Sequence, residues 1–209
     1  MTTLAPTLYA RSFPRASAWL RDLLLMLAGV LLLAALAQVE IPLPFTPVPI
    51  TGQTFGVLLV GAALGSRRGA ASMLAYITAG ASGLPYFAGG GSGPGILTGA
   101  TAGYLAGFIV AAYVVGLLAE RGYERRMRTS ILPFLLGTLI IYTFGIAWLS
   151  TLVGGLQKAV TLGVMPFLIG DTIKLIAAAL ALPAAWKLVG TIQGGTAHSA
   201  DRDSPAYNI

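Results

Sequence analysis

Charge is almost absent from six stretches of this chain, at about 20–38, 51–64, 70–83, 100–119, 131–153 and 164–186, and that absence limits the fold more than any motif. About 18 to 20 consecutive apolar residues carry a helix across hydrocarbon. None of the stretches alternates polar and apolar positions as barrel strands do. The expectation is an all-α integral membrane protein, a single domain of six transmembrane helices with polar tails at 1–19 and 190–209. Only 10% of the 209 residues are charged, against about 25% in soluble domains. The second and third runs are short, and are expected to continue into backbone buried by protein rather than by lipid.

The connections carry their own information. The N-terminal segment is polar, with Arg11 and Arg15, and no small-x-small cleavage pattern follows it, so the first run reads as a retained helix. That run ends where Glu40, Pro42 and Pro44 forbid regular helix. Residues 41–50 read IPLPFTPVPI, four prolines in eight positions, an extended and semi-rigid connection. Residues 80–99 are uncharged and rich in glycine and proline. A disordered linker is the plain alternative there, but Leu84, Tyr86, Phe87, Ile96 and Leu97 are apolar anchors that a solvated linker does not need. A folded loop over the bundle is expected. The four-residue steps Gly52/Gly56, Gly61/Gly65 and Gly99/Gly103/Gly107 read as devices for close helix packing.

Lysine and arginine outside the runs set an orientation, because cytoplasmic segments carry the excess. With the N-terminus inside, the inner side holds Arg11, Arg15, Arg21, Arg67, Arg68, Arg121, Arg125, Arg126, Arg128, Lys187 and Arg202, and the outer side only Lys158, a count of 11 to 1. Both termini are then cytoplasmic. The net charge of +6 therefore reports membrane orientation, and no nucleic-acid partner is needed to explain it.

Beyond Arg21 and Asp22 at the very start of the first run, two charges remain inside a run. Asp171 and Lys174 lie three apart in the sixth, on one helical face. Near a helix centre each costs about 2.5–3.5 kcal/mol, so such groups usually mark a ligand or ion site; the alternative is an ion pair that only satisfies itself. With Pro166 in the first turn of that helix, Asp171 is expected roughly 8 Å down it and Lys174 roughly 12 Å. Gln53 enters from the outer end of the second run, and Tyr86, Tyr104, Thr101 and Phe45 are the expected neighbours. Together they describe an outward-facing pocket with a carboxylate, an ammonium and an amide at its base, capped by the glycine- and proline-rich loops. A ureido ring or another amide-rich head would satisfy these groups.

Catalytic and metal chemistry lack their usual players. The chain has no cysteine, its one histidine, His198, lies in the C-terminal tail, and the runs contain no second acid near Asp171. No enzyme activity, metal or cofactor is implied.

Four stretches, 41–55 (IPLPFTPVPITGQTF), 65–69 (GSRRG), 83–90 (GLPYFAGG) and 170–174 (GDTIK), resemble the BioY family, the biotin-capture (S) components of energy-coupling-factor transporters. The likeness extends over nearly all six runs. It implies a high-affinity biotin-binding subunit in the prokaryotic cytoplasmic membrane, taking biotin from outside, with Gln53, Asp171 and Lys174 among its contacts. It also implies two partners, a transmembrane coupling (T) subunit and a pair of ATPases, in keeping with the absence of a Gly-x-x-x-x-Gly-Lys-Ser/Thr phosphate loop here. Where the family tends to read Gly-Pro-Thr-Gly-Gly-Tyr, residues 99–104 read GATAGY, so a less kinked start of the fourth run is expected. The competing reading is an autonomous secondary carrier for biotin or another vitamin, with Asp171 titrating during transport.

Overall fold

The computed structural model describes residues 3–12, 17–125 and 127–202. The chain order is α1 (Leu4–Ser12), α2 (Ala18–Ala37), β1 (Glu40–Ile41), β2 (Ile50–Thr51), α3 (Gln53–Leu64), α4 (Ser66–Ala81), α5 (Ala102–Glu120), α6 (Met127–Val153), α7 (Leu156–Gly163) and α8 (Leu168–Arg202). Apart from the two-residue strands the fold is helical. Four stretches are long and apolar enough to cross a membrane, Ala18–Ala37, Ala102–Glu120, Thr129–Val153 and Leu156–Lys187, which makes this a multi-pass membrane protein. α3 has 12 residues, about 18 Å of helix, against hydrocarbon about 30 Å thick. It lies inside the bundle, with most of its residues buried.

Glycine lets the short helices approach their neighbours. The α3–α4 hairpin turns on Gly65, whose φ of +88° suits glycine. A Cβ at Gly61 would stand 2.7 Å from the Ala112 carbonyl oxygen, and one at Gly69 3.0 Å from Gly61 Cα. Helices α3, α4 and α5 therefore touch backbone to backbone, as the glycine spacing predicts for Gly61. Gly103 and Gly107 do the same for α5 against α6.

Three features depart from expectation. The N-terminal segment contains α1, whose Leu4 is buried against Leu58, Val115, Phe134 and Ala178; its apolar residues close the basic end of the bundle. The connection into the sixth run is itself helical. Gly154 and Gly155, with φ of +83° and +132°, turn the chain into α7, and a short 3-10 segment at Met165–Phe167 precedes α8. Pro166 lies in that segment, and Asp171 falls in the first turn of α8. There it meets the positive end of the helix. The proline-rich connection, finally, folds back on itself, Glu40 pairing with Thr51 and Ile41 with Ile50 in an antiparallel ladder.

The 80–99 loop is ordered into two 3-10 turns, Ala88–Gly90 and Pro94–Thr98. Phe87 is buried under it and Ile96 packs against the core, whereas Leu84 and Leu97 are exposed.

Candidate functional site

A cavity of about 210 Å³ lies where the β1–β2 ladder, the Ala88–Gly90 turn, α3, α5, α6 and α8 meet. Its apolar wall includes Val48, Phe87, Ile96, Leu105, Phe108 and Phe167. Its volume is below the roughly 300–1,000 Å³ of clefts that hold drug-sized molecules, which favours a small ligand.

The polar floor is one connected network. Lys174 Nζ donates to Asp171 Oδ1 at 2.7 Å, to the Thr51 carbonyl at 2.7 Å and to Thr54 Oγ1 at 3.3 Å. Those three contacts occupy all three of its hydrogens. Asp171 also accepts from Thr54 Oγ1 at 3.2 Å and from the Tyr142 hydroxyl at 2.6 Å. Thr51 Oγ1 donates to Gln53 Oε1 at 3.0 Å, and Gln53 Nε2 donates to the Tyr76 hydroxyl at 2.8 Å. Tyr76 in turn donates to the Tyr86 carbonyl at 2.9 Å. The chain of bonds thus runs from α8 through α3 and α4 to the loop that covers the cavity. Tyr104 anchors the opposite side by donating to the Gly163 carbonyl at 2.8 Å.

Local sequence explains the placement. The ladder fixes Thr51, so that its carbonyl meets Lys174 and its hydroxyl braces Gln53 at the start of α3. Asp171 is 7% exposed and Gln53 8%, and buried groups of this kind persist where partners replace water. The loop is held from α2 by Gln38, whose Nε2 donates to the carbonyls of Ala34 at 3.1 Å and Phe87 at 3.3 Å.

Of the seven residues expected at the site, Gln53, Thr101, Tyr104, Asp171 and Lys174 line one cavity. Phe45 does not: it is 61% exposed on the proline-rich connection. Tyr86 lies behind the wall, stacked on Tyr76 with ring centroids 6.5 Å apart, and enters the network through its carbonyl. Reading the sequence alone missed Tyr142, Thr54, Thr51 and Glu40. The runs themselves bring no second acid to Asp171, but Glu40, from the connection after the first run, lines the same cavity. Glu40 passes in sequence for a helix stop, and only its pairing with Thr51 brings it here. Among the described residues no three His, Cys, Asp or Glu side chains gather as a metal site.

The profile of the BioY family matches residues 7–191. The biotin transporter BioY of Rhizobium etli is 40% identical over 169 residues, covering 77% of this chain and 90% of that protein. The one from Thermotoga maritima is 38% identical over 156 residues, covering 75% and 91%. The crystal structure of the S-component for biotin from an ECF-type ABC transporter superposes with a TM-score of 0.74 at 24% identity, over 80% of this chain and 92% of that one. That likeness is one of fold.

Proposed function

The chain belongs to the BioY family, and we propose that the cavity floored by Asp171, Lys174 and Gln53 is where it captures biotin. The protein is a biotin transporter component, not an enzyme. The observation that carries the site is convergence. Three polar side chains from α3 and α8, elements far apart in sequence, meet at one small cavity beside an apolar wall. Biotin has the matching chemistry, a ureido head with N–H donors and a carbonyl acceptor, an apolar thioether ring and chain, and a terminal carboxylate. Thr101 and Tyr104 line the same space, and aromatic walls suit its apolar body.

The chain acts as the capture subunit in a prokaryotic cytoplasmic membrane. It crosses six times, counting α3 and α4 with the four longer stretches, with both termini inside. The distribution of basic residues supports that orientation, and it turns the cavity end outward. A transmembrane coupling subunit and a pair of ATPases supply the energy, and biotin binds here without a covalent step.

Calorimetric titration of the detergent-purified chain with biotin, and with thiamin and riboflavin as controls, tests this reading. Tight binding of biotin alone is expected. No binding by a folded preparation would overturn it and bring forward the autonomous carrier, for which uptake without any coupling subunit, abolished by a protonophore, is the mark.

A further inference from the structure

The polar side chains of the cavity fall into two groups. Asp171, Lys174, Tyr142, Thr54, Thr51, Gln53 and Tyr104 all have protein partners. Among the described residues, Glu40 and Thr101 line the same cavity with no hydrogen bond or ion pair from their side chains. A ligand meets the first group only by sharing or displacing existing bonds, whereas the second stands open to it. Glu40 is held by backbone. Its Cα faces Thr51 across the ladder, and its Oε2 lies so close to Gly89 that a Cβ there would overlap it. Gly89 has a φ of +61°, so the turn both needs glycine for its shape and leaves room for the carboxylate.

We infer that Glu40 is a ligand-selecting residue, accepting an N–H donor of the bound molecule beside the Ala88–Gly90 turn. The inference rests on the reading of the cavity as a biotin site and assigns one end of the ligand. A carboxylate only accepts hydrogen bonds, and like charges side by side are unfavourable. One N–H of the ureido ring therefore faces Glu40, and the ligand's own carboxylate is directed away from it. Thr101, able to donate or accept, meets whichever polar atom lies against the start of α5. The same placement disfavours vitamins that would bring an anionic group to this turn.

The test is calorimetric binding to the intact chain and to the variants Glu40→Gln and Glu40→Ala. Three ligands are compared: biotin, biotin methylated on both ureido nitrogens, and biotin with its carboxylate converted to a primary amide. Glu40→Ala is expected to weaken biotin and the amide alike, by roughly ten- to a hundred-fold, the worth of one hydrogen bond to a charged acceptor. Glu40→Gln, which keeps the shape, is expected to weaken them less. The N-methylated ligand binds the intact chain more weakly and is expected to be indifferent to both substitutions. Thermal unfolding of each variant separates lost binding from lost folding. Intact chain that binds biotin while both variants bind it within about two-fold would overturn the inference and leave the biotin site standing. An equal loss for the methylated ligand would also overturn it. Failure of the intact chain to bind biotin would overturn both.

Discussion

Asp171 and Glu124 are carboxylates withdrawn from water toward opposite ends of the bundle, and they are satisfied in opposite ways. Asp171, in the first turn of α8, faces a cavity and receives an ammonium, a phenol and a hydroxyl. Glu124, between α5 and α6, is fully buried; Oε1 accepts from Trp186 Nε1 at 3.1 Å, and Oε2 has no hydrogen-bond partner. Trp186 lies fifteen residues beyond Asp171 on α8, about 22 Å along it. Arg125 sits 3.8 Å from Glu124 Oε1 and places its guanidinium 4.4 Å from the Trp186 ring. Burial raises the Glu124 carboxyl above the ordinary range, against the weaker opposing pull of Arg125 and Trp186. The contrast separates two uses of a buried acid. At the cavity end polar groups are kept connected beside empty space that a ligand can enter, while at the basic end the acid is sealed into packing.

The largest expected effect is at the connected end. Lys174→Ala leaves Asp171 without its ammonium, and should abolish biotin binding and lower stability by about 3–5 kcal/mol. Adding Asp171→Asn should recover much of the stability and none of the binding; recovery of both would break the distinction between the two ends. Next comes a packing change at the basic end. A Cβ at Gly116 would stand 2.6 Å from Ser66 Cα, so Gly116→Val should cost about 1–3 kcal/mol in thermal unfolding while the affinity of the folded fraction holds. Tyr142→Phe is expected to cost about 1.5 kcal/mol, the lower end for a hydrogen bond to a charged group, read as a loss of biotin affinity by calorimetry. The smallest change is Glu124→Gln. The folded chain holds the Glu124 proton more tightly than the unfolded chain does. The stability this proton contributes is therefore complete below the ordinary value near 4.5 and lost as pH rises through the raised folded value. Unfolding midpoints measured across that window should slope downward with pH in the intact chain and more shallowly in Glu124→Gln. Equal slopes would remove Glu124 from the account.

How much the sequence revealed depended on whether a residue's neighbours lay along the chain or across it. The long apolar runs announced α2, α5 and α6 because nothing but helix satisfies their backbone in hydrocarbon. Asp171 and Lys174 stood out as charges among apolar residues, and Gln53 as an amide at a helix start. Tyr142 gave no such cue, being one aromatic inside an uncharged run, and its role comes only from facing α8. Phe45 was misplaced because an aromatic between prolines looks like a pocket wall, whereas the ladder turns that connection outward. The helix before α8 was equally hidden. Gly154 and Gly155 mark a turn, but that α7 folds between them and Pro166 depends on contacts with α6 and α5, such as the Tyr104 hydroxyl on Gly163.

Lys174 arrives at the cavity with every hydrogen committed, one of them to the Thr51 carbonyl. Any acceptor that a ligand offers to this ammonium must compete with a peptide oxygen already in place. Engagement there is an exchange reaction rather than an addition. A neutral acceptor merely trades like for like, while a carboxylate gains the difference in charge. The protein thus carries its own reference ligand, a backbone carbonyl that sets the threshold an incoming molecule has to exceed.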